Sequence, residues 1–212
     1  MIDCQLQPNG IIEPAVIEAV AHTPRERFLP DDLRHLAYID DHFMLPGGEV
    51  MLSPVTQARL IQAAGLTPSD VVLNVMDASG YATAVAARLS SMVVALEGRP
   101  GQLDLARKEW ALSDCCNIAI VGGAAHEGDP RHAPYSAIIV NGALCADPDN
   151  LFSQLAPSGR LVYIAQGASA PVGQICLVKK SASGGALSRV RLQDVSVPVT
   201  AGEAKAEKRF AF

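Results

Sequence analysis

Apolar residues are spaced in two different ways along this chain, and the change comes near residue 70. Before it, residues 11–21 (IIEPAVIEAVA) place Ile, Val and Ala at helical intervals, with Pro14 tolerable in a first turn. A loop and a short helix are expected through residues 25–38. Residues 43–52 read as a hairpin or turn, because Pro46, Gly47 and Gly48 separate two short apolar runs. Ser53 is placed as an N-cap with Pro54 at the first helical position, which predicts a helix to about Ala64 that Gly65 stops. After residue 70, short continuous apolar runs alternate with helical patterns. The runs predict strands over 71–75, 92–96, 118–121, 137–140 and 161–164, and the periodic segments predict helices over 81–89, 103–112 and 149–155. Two further strands, 174–178 and 187–195, are joined through Ser183-Gly184-Gly185 and predict an antiparallel hairpin.

Alternating strands and helices predict the α/β class, a doubly wound and mostly parallel sheet closed by that hairpin. Residues 1–70 form an N-terminal helical and loop extension, and residues 71–212 the α/β part, the two expected to pack as one unit. Ligands in such sheets bind beyond the carboxyl ends of the strands, where the strand order reverses. The turn after the strand 71–75 is therefore the place to look for a cofactor. It reads Met76-Asp77-Ala78-Ser79-Gly80, a nucleotide-binding turn with most of its glycines replaced. Asp77, Ser79 and Gly80 are the candidate cofactor residues there, and Glu97, ending the run MVVALE, is placed to accept hydrogen bonds from ribose hydroxyls.

Composition narrows the classes. At 212 residues, 49% of them hydrophobic and 18% charged, the chain can bury a sizeable core and does not read as disordered. A formal charge of −5 lacks the basic excess of a nucleic-acid binder, and the one basic cluster, Lys205 to Arg209, is interrupted by acids. No secretory signal or membrane-spanning run is readable, so a cytoplasmic protein is expected. Five cysteines form no C-x-x-C pair, and Cys115-Cys116 read as two buried small residues before a strand. The histidines show no metal-ligand spacing, and no metal is expected. Trp110 reads as packing rather than as a stacking platform.

Several segments together resemble the protein-L-isoaspartate O-methyltransferase family. Pro24-Arg25-Glu26-Arg27-Phe28-Leu29-Pro30, followed by Leu36-Ala37-Tyr38 and Asp40, is similar to its P-R-E-x-F-[VL]-P and A-Y-x-D signature. Residues 137–140 (AIIV) resemble its D-A-I-I-V strand, residues 155–162 (LAPSGRLV) its L-K-P-G-G-R-L-V segment, and Arg209-Phe210 its terminal R-F, with Phe210 and Phe212 expected to dock on the core. The resemblance implies a Rossmann-like methyltransferase fold and S-adenosylmethionine as cofactor. It also implies methyl transfer to the carboxylate of L-isoaspartyl residues in damaged proteins, the first step of their repair.

Mapped residue by residue, the family's acid-x-G-T-G-S-G-Y loop falls on residues 74–81, so that Asn74 replaces the acid and Met76 and Ala78 replace two glycines. Its G-D-G falls on Gly122, Gly123 and Ala124, leaving Gly123 as a cofactor candidate without the carboxylate. Its Q-T-I-S-Q-P substrate segment falls on residues 49–54, with Leu52 at the serine and Ser53 as the candidate catalytic hydroxyl one residue on. Were Asp77 to face the cofactor carboxylate at about 5 Å, repulsion of roughly 3 kcal/mol would oppose binding at an effective dielectric of 20. These replacements lead to the expectation of weakened or lost methyl transfer in a chain acting as an interaction module for an unidentified protein partner. The alternatives are an active carboxyl methyltransferase acting on isoaspartyl proteins, or a binder of another small ligand in the same cleft.

Overall fold

The computed structural model describes residues 1–200, so Lys205 to Arg209, Phe210 and Phe212 lie outside the described residues. Seven strands make one sheet: β3 (Val71–Val75), β4 (Met92–Glu97), β5 (Ile118–Gly122), β6 (Tyr135–Leu144), β7 (Leu155–Ala165), β8 (Gly173–Lys180) and β9 (Leu187–Val195). Their order is β5-β4-β3-β6-β7-β8-β9. The five strands from β5 to β7 run parallel, and β8 and β9 return antiparallel. The order reverses between β3 and β6, which fixes the ligand crevice at the ends of Val75 and Val140, paired neighbours in the register.

The helices are α1 (Pro14–Ala21), α2 (Pro54–Ala64), α3 (Tyr81–Ala87), α4 (Asp104–Leu112) and α5 (Asp149–Ser153). Leu60 and Ala64 of α2 and Ala86 and Ala87 of α3 pack on Val72, Val93, Ile139 and Val162 of one sheet face. The other face buries Leu73, Val94, Ile138 and Tyr163 beneath Leu151 and Phe152 of α5. A third cluster joins the N-terminal segment to the turn after β3 and to α3, with Leu6, Val16, Phe28 and Val55 packed against Tyr81, Val85 and Trp110. The hairpin before α2 is short, β1 (Phe43–Met44) pairing with β2 (Val50–Met51).

Most predicted elements appear where the hydrophobic pattern places them. Residues 25–38 form two 3-10 segments, Arg25–Phe28 and Asp31–Leu36, in place of a short helix. Strand β7 begins at Leu155 rather than 161, because a register shift lets Tyr135 pair with Leu155 before Ala137 meets Arg160. Cys115 is half-buried and Cys116 exposed, which corrects the buried reading: both lie on the turn before β5, where Asp114 takes φ 54° and carries them to the surface. No helix among the described residues is long and apolar enough to cross a membrane.

Candidate active site

Strand β3 delivers its last residue, Val75, to the crevice, and the chain turns at Met76 with φ 60°. A left-handed conformation costs a side-chain-bearing residue about 1 to 2 kcal/mol, and the turn that follows offsets it. Asp77 is 6% exposed and its carboxylate points back into the turn. One oxygen accepts from the Thr83 N–H (2.7 Å) and hydroxyl (2.9 Å), the other from the Gly80 N–H (3.0 Å) and the Ser79 hydroxyl (3.2 Å). Ser79 in turn accepts from the Tyr81 N–H at 3.2 Å. Asp77 therefore caps the start of α3 from inside, satisfying donors that a helix N-terminus leaves open. Burial pushes its pKa up, opposed by the donors of Thr83, Ser79 and Gly80.

Two expectations change here. Asp77 does not stand out toward a ligand as an isolated charge, and the side chains of Asp77 and Ser79 are engaged with their own turn. Asn74, at the family's acid position, donates to the Thr83 hydroxyl at 2.7 Å and to Asp77 at 3.3 Å. The carboxylate missing from position 74 thus enters the same cluster from position 77.

Gly80 takes φ 74°, and a Cβ there would lie 2.3 Å from the Ala106 Cβ and 2.8 Å from Trp110 Cζ2. Close approach of α4 requires this glycine, whatever ligand the turn holds. Trp110 packs, as expected, and its indole N–H donates to the Gly80 carbonyl at 3.0 Å.

At the end of β4, Glu97 is 9% exposed; Oε1 accepts from the Leu103 N–H at 3.1 Å and Oε2 lies 4.0 Å from Arg107. The Gly123 N–H donates to the Glu97 backbone carbonyl at 3.1 Å, so the two candidates meet where β4 and β5 end. A Cβ on Gly123 would lie 3.0 Å from Leu96 Cδ1, which gives this glycine a packing role. In β6, one residue past the Val75–Val140 pair, Asn141 donates to the Asn74 side-chain carbonyl (2.8 Å) and to the Val75 carbonyl (3.1 Å). Its own Oδ1 is buried without a hydrogen-bond partner among the described residues.

The substrate segment approaches from the N-terminal side. Ser53 is 4% exposed, accepts from the Thr56 N–H at 3.3 Å and donates to the Thr56 hydroxyl at 3.2 Å. It is the N-cap of α2, and its hydroxyl is occupied by that helix rather than offered to a substrate. Leu52 beside it is buried. Two residues that the sequence did not single out hold this segment. Arg25, fully buried, donates to the Ala37 carbonyl (2.8 Å), to Gln57 Oε1 (2.5 Å) and to the Leu52 carbonyl, and lies 4.9 Å over the Tyr81 ring. His42 Nδ1 accepts from the Ser53 N–H at 2.9 Å. Arg25 belongs to the P-R-E signature, but its burial depends on contacts distant in sequence; His42 carried no signal.

A groove of about 530 Å³, lined by Arg107, Trp110, Asp114, Cys115, Cys116 and Ile118 beside β5, includes none of the crevice residues. Among the described residues, no group of three or more His, Cys, Asp or Glu is arranged to hold a metal ion.

The chain matches the family model described as Protein-L-isoaspartate(D-aspartate) O-methyltransferase over residues 1–204. A protein-L-isoaspartate O-methyltransferase of Synechococcus sp. is 37% identical over 82% of this chain and 68% of its own length. One of Roseiflexus sp. is 36% identical over 99% of this chain and 94% of its own. Among solved structures, a protein-L-isoaspartate O-methyltransferase superposes with TM-score 0.78 at 22% identity, over 93% of this chain and 64% of that one. One from Plasmodium falciparum, described as a beta-aspartate methyltransferase in complex with S-adenosyl-L-homocysteine, gives TM-score 0.71 at 19% identity, over 91% of this chain and 93% of that one. The sequence matches place the chain, and the fold agrees: it belongs to the protein-L-isoaspartate O-methyltransferase family.

Proposed function

We propose that this chain transfers the methyl group of S-adenosylmethionine to the free carboxylate of L-isoaspartyl residues in other proteins. The family depends on S-adenosylmethionine. The observation that carries the reading is the family match over residues 1–204, and the turn after β3 is still formed at the reversal of strand order, with φ 60° at Met76 and φ 74° at Gly80. The expectation of weakened or lost transfer, drawn jointly from the replaced glycines, the absent G-D-G acid and Leu52 at the substrate serine, is outweighed by the match to the family over residues 1–204. Relatives 36–37% identical that carry the enzyme's name weigh the same way.

The residues present fit the cofactor at two points. Glu97 holds a carboxylate at the end of β4, where ribose hydroxyls donate to an acid in this class of sheet. Asn141 Oδ1 is a buried acceptor lacking a donor, and the cofactor's ammonium is a donor. Met76 is the side chain that must yield.

When bound, S-adenosylmethionine supplies a methyl group on a positively charged sulfur. The acceptor carboxylate is ionised near neutral pH, so no side chain has to remove a proton. What this chain contributes is alignment, which can lower the barrier by several kcal/mol when both reactants are held in near-attack geometry. Arg25 ties the acceptor segment at Leu52 to Tyr81, the residue that follows the cofactor turn.

Incubation with methyl-labelled S-adenosylmethionine and an isoaspartyl peptide, beside its normal aspartyl twin, tests the reading. Base-labile label on the isoaspartyl peptide alone is the expected result. Saturable cofactor binding without any transfer would overturn it and leave the chain an interaction module.

A further inference from the structure

The turn after β3 and the end of β6 approach each other through one side chain. A Cβ placed on Gly142 would lie 2.6 Å from Met76 Cε, 3.3 Å from Sδ and 3.7 Å from Cβ. The Met76 thioether therefore lies on the backbone of Gly142, in a space that any larger residue at 142 would fill. Both residues stand beyond the paired ends of β3 and β6, at the reversal of strand order where a ligand of this fold binds. Met76 packs against the cluster of Val75, Val140 and Leu144 yet remains half-buried, with one side open. It can leave its seat without unpacking the core.

We infer that Met76 is a specificity-determining residue that occupies part of the cofactor crevice, with Gly142 as its seat. The inference rests on the methyltransferase reading and adds to it that the cofactor enters by displacing the thioether. Met has three rotatable bonds and a soft, adaptable tip, so displacement needs side-chain rotation only. Gly142 sets how far the side chain is withdrawn when the crevice is open, since a methyl at 142 would push Met76 Cε outward.

Trp110 reports on the turn from behind, through its hydrogen bond to Gly80, and it is the chain's only tryptophan. The experiment is a titration of the full chain with S-adenosylhomocysteine and S-adenosylmethionine, followed by Trp110 fluorescence and calorimetry. The proteins are the wild type, Met76→Gly, Gly142→Ala and the double variant, each first checked for a cooperative melt. Met76→Gly is expected to bind S-adenosylhomocysteine at least about tenfold more tightly, which corresponds to about 1.4 kcal/mol. Gly142→Ala is expected to weaken binding several-fold in the wild type and to have almost no effect in the Met76→Gly background, the coupling that two residues in contact show. Equal affinity of wild type and Met76→Gly would overturn the inference and leave the enzyme reading standing. No binding by either folded protein would overturn both.

Discussion

The indole N–H of Trp110 donates to the carbonyl of Gly80 at 3.0 Å, and the same ring would lie 2.8 Å from any Cβ at position 80. One contact thus fixes the height of α4 above the cofactor turn and forbids a side chain there. Gly80→Ala must also adopt φ 74° and meets the Ala106 Cβ at 2.3 Å. Overpacking and backbone strain together are expected to destabilise by about 2 to 4 kcal/mol. For a chain of this size that is a fall in Tm of roughly 5 to 15 °C. Gly80→Ala with Ala106→Gly should recover part of the loss by removing the nearer clash. Thermal melts of the three proteins decide it; an unchanged Tm in Gly80→Ala would show that α4 moves aside freely.

Arg25 carries a second prediction. Its guanidinium is fully buried and reaches three acceptors on three segments, the carbonyls of Ala37 and Leu52 and the side chain of Gln57. Burial lowers its pKa to about 10, opposed by Tyr81 and Asp77, and it stays charged at neutral pH. A lysine keeps the charge but cannot present a planar fork, so Arg25→Lys leaves buried carbonyls without donors. Each orphaned buried acceptor costs about 1 to 3 kcal/mol, and a total of about 2 to 4 kcal/mol is expected. Urea unfolding should show the loss at constant m-value. A Lys variant as stable as the wild type would mean that the fork geometry is immaterial.

Much of the fold was readable because parallel strands buried on both faces are written as continuous apolar runs: residues 71–75 and the helix closed by Ser53 and Gly65 appear as predicted. The start of β7 was not. Pro157, Ser158 and Gly159 have the composition of a turn, yet they lie in a strand because the ladder slips between Tyr135 and Ala137, and Gly159 passes close to the Tyr135 carbonyl. At the site, the contact of the Gly123 N–H with the Glu97 carbonyl follows from strand pairing that neither position shows alone, and the direction of the Asp77 carboxylate depends on Thr83 six residues away. A side chain that turns back into its own loop and one that reaches out have the same sequence.

Asp70 and Arg160 make a two-pronged pair between the turn before β3 and strand β7, at 2.8 and 2.6 Å. Burial alone would raise the Asp70 carboxyl, but Arg160 and the Thr67 N–H and hydroxyl outweigh it and hold the pKa below the ordinary value. A carboxyl depressed in the folded state stabilises above its unfolded pKa, and that contribution is lost as pH falls through the folded one. Asp70→Asn should therefore be about 1 to 3 kcal/mol less stable than the wild type at pH 7, the range for hydrogen bonds to charged groups. The gap should close below pH 4. Urea titrations of both proteins at pH 7 and at pH 3 read the difference directly, and a gap that widens in acid would contradict the assignment.

His42 gives the acceptor segment a dependence on pH of the same sign in a higher window. Its Nδ1 accepts the Ser53 N–H at 2.9 Å, which only an imidazole unprotonated at that nitrogen can do. Burial lowers its pKa; Asp41 and Asp40 pull it up, Arg25 pushes it further down, and a backbone hydrogen bond at Ser196 raises it. The net shift is downward, so the unfolded chain binds the proton more readily than the folded one. Stability from His42 is then complete above the ordinary histidine pKa and is lost as pH falls toward the folded value. His42→Asn keeps an acceptor for Ser53 but does not titrate. Between pH 7.5 and pH 5 the wild type is expected to lose about 1 kcal/mol more than this variant, the value of one hydrogen bond. In melts of a chain this long the excess appears as a difference of roughly 2 to 4 °C. Parallel pH profiles for the two proteins would show that the Ser53 contact survives protonation, and with it that His42 does not hold the start of α2.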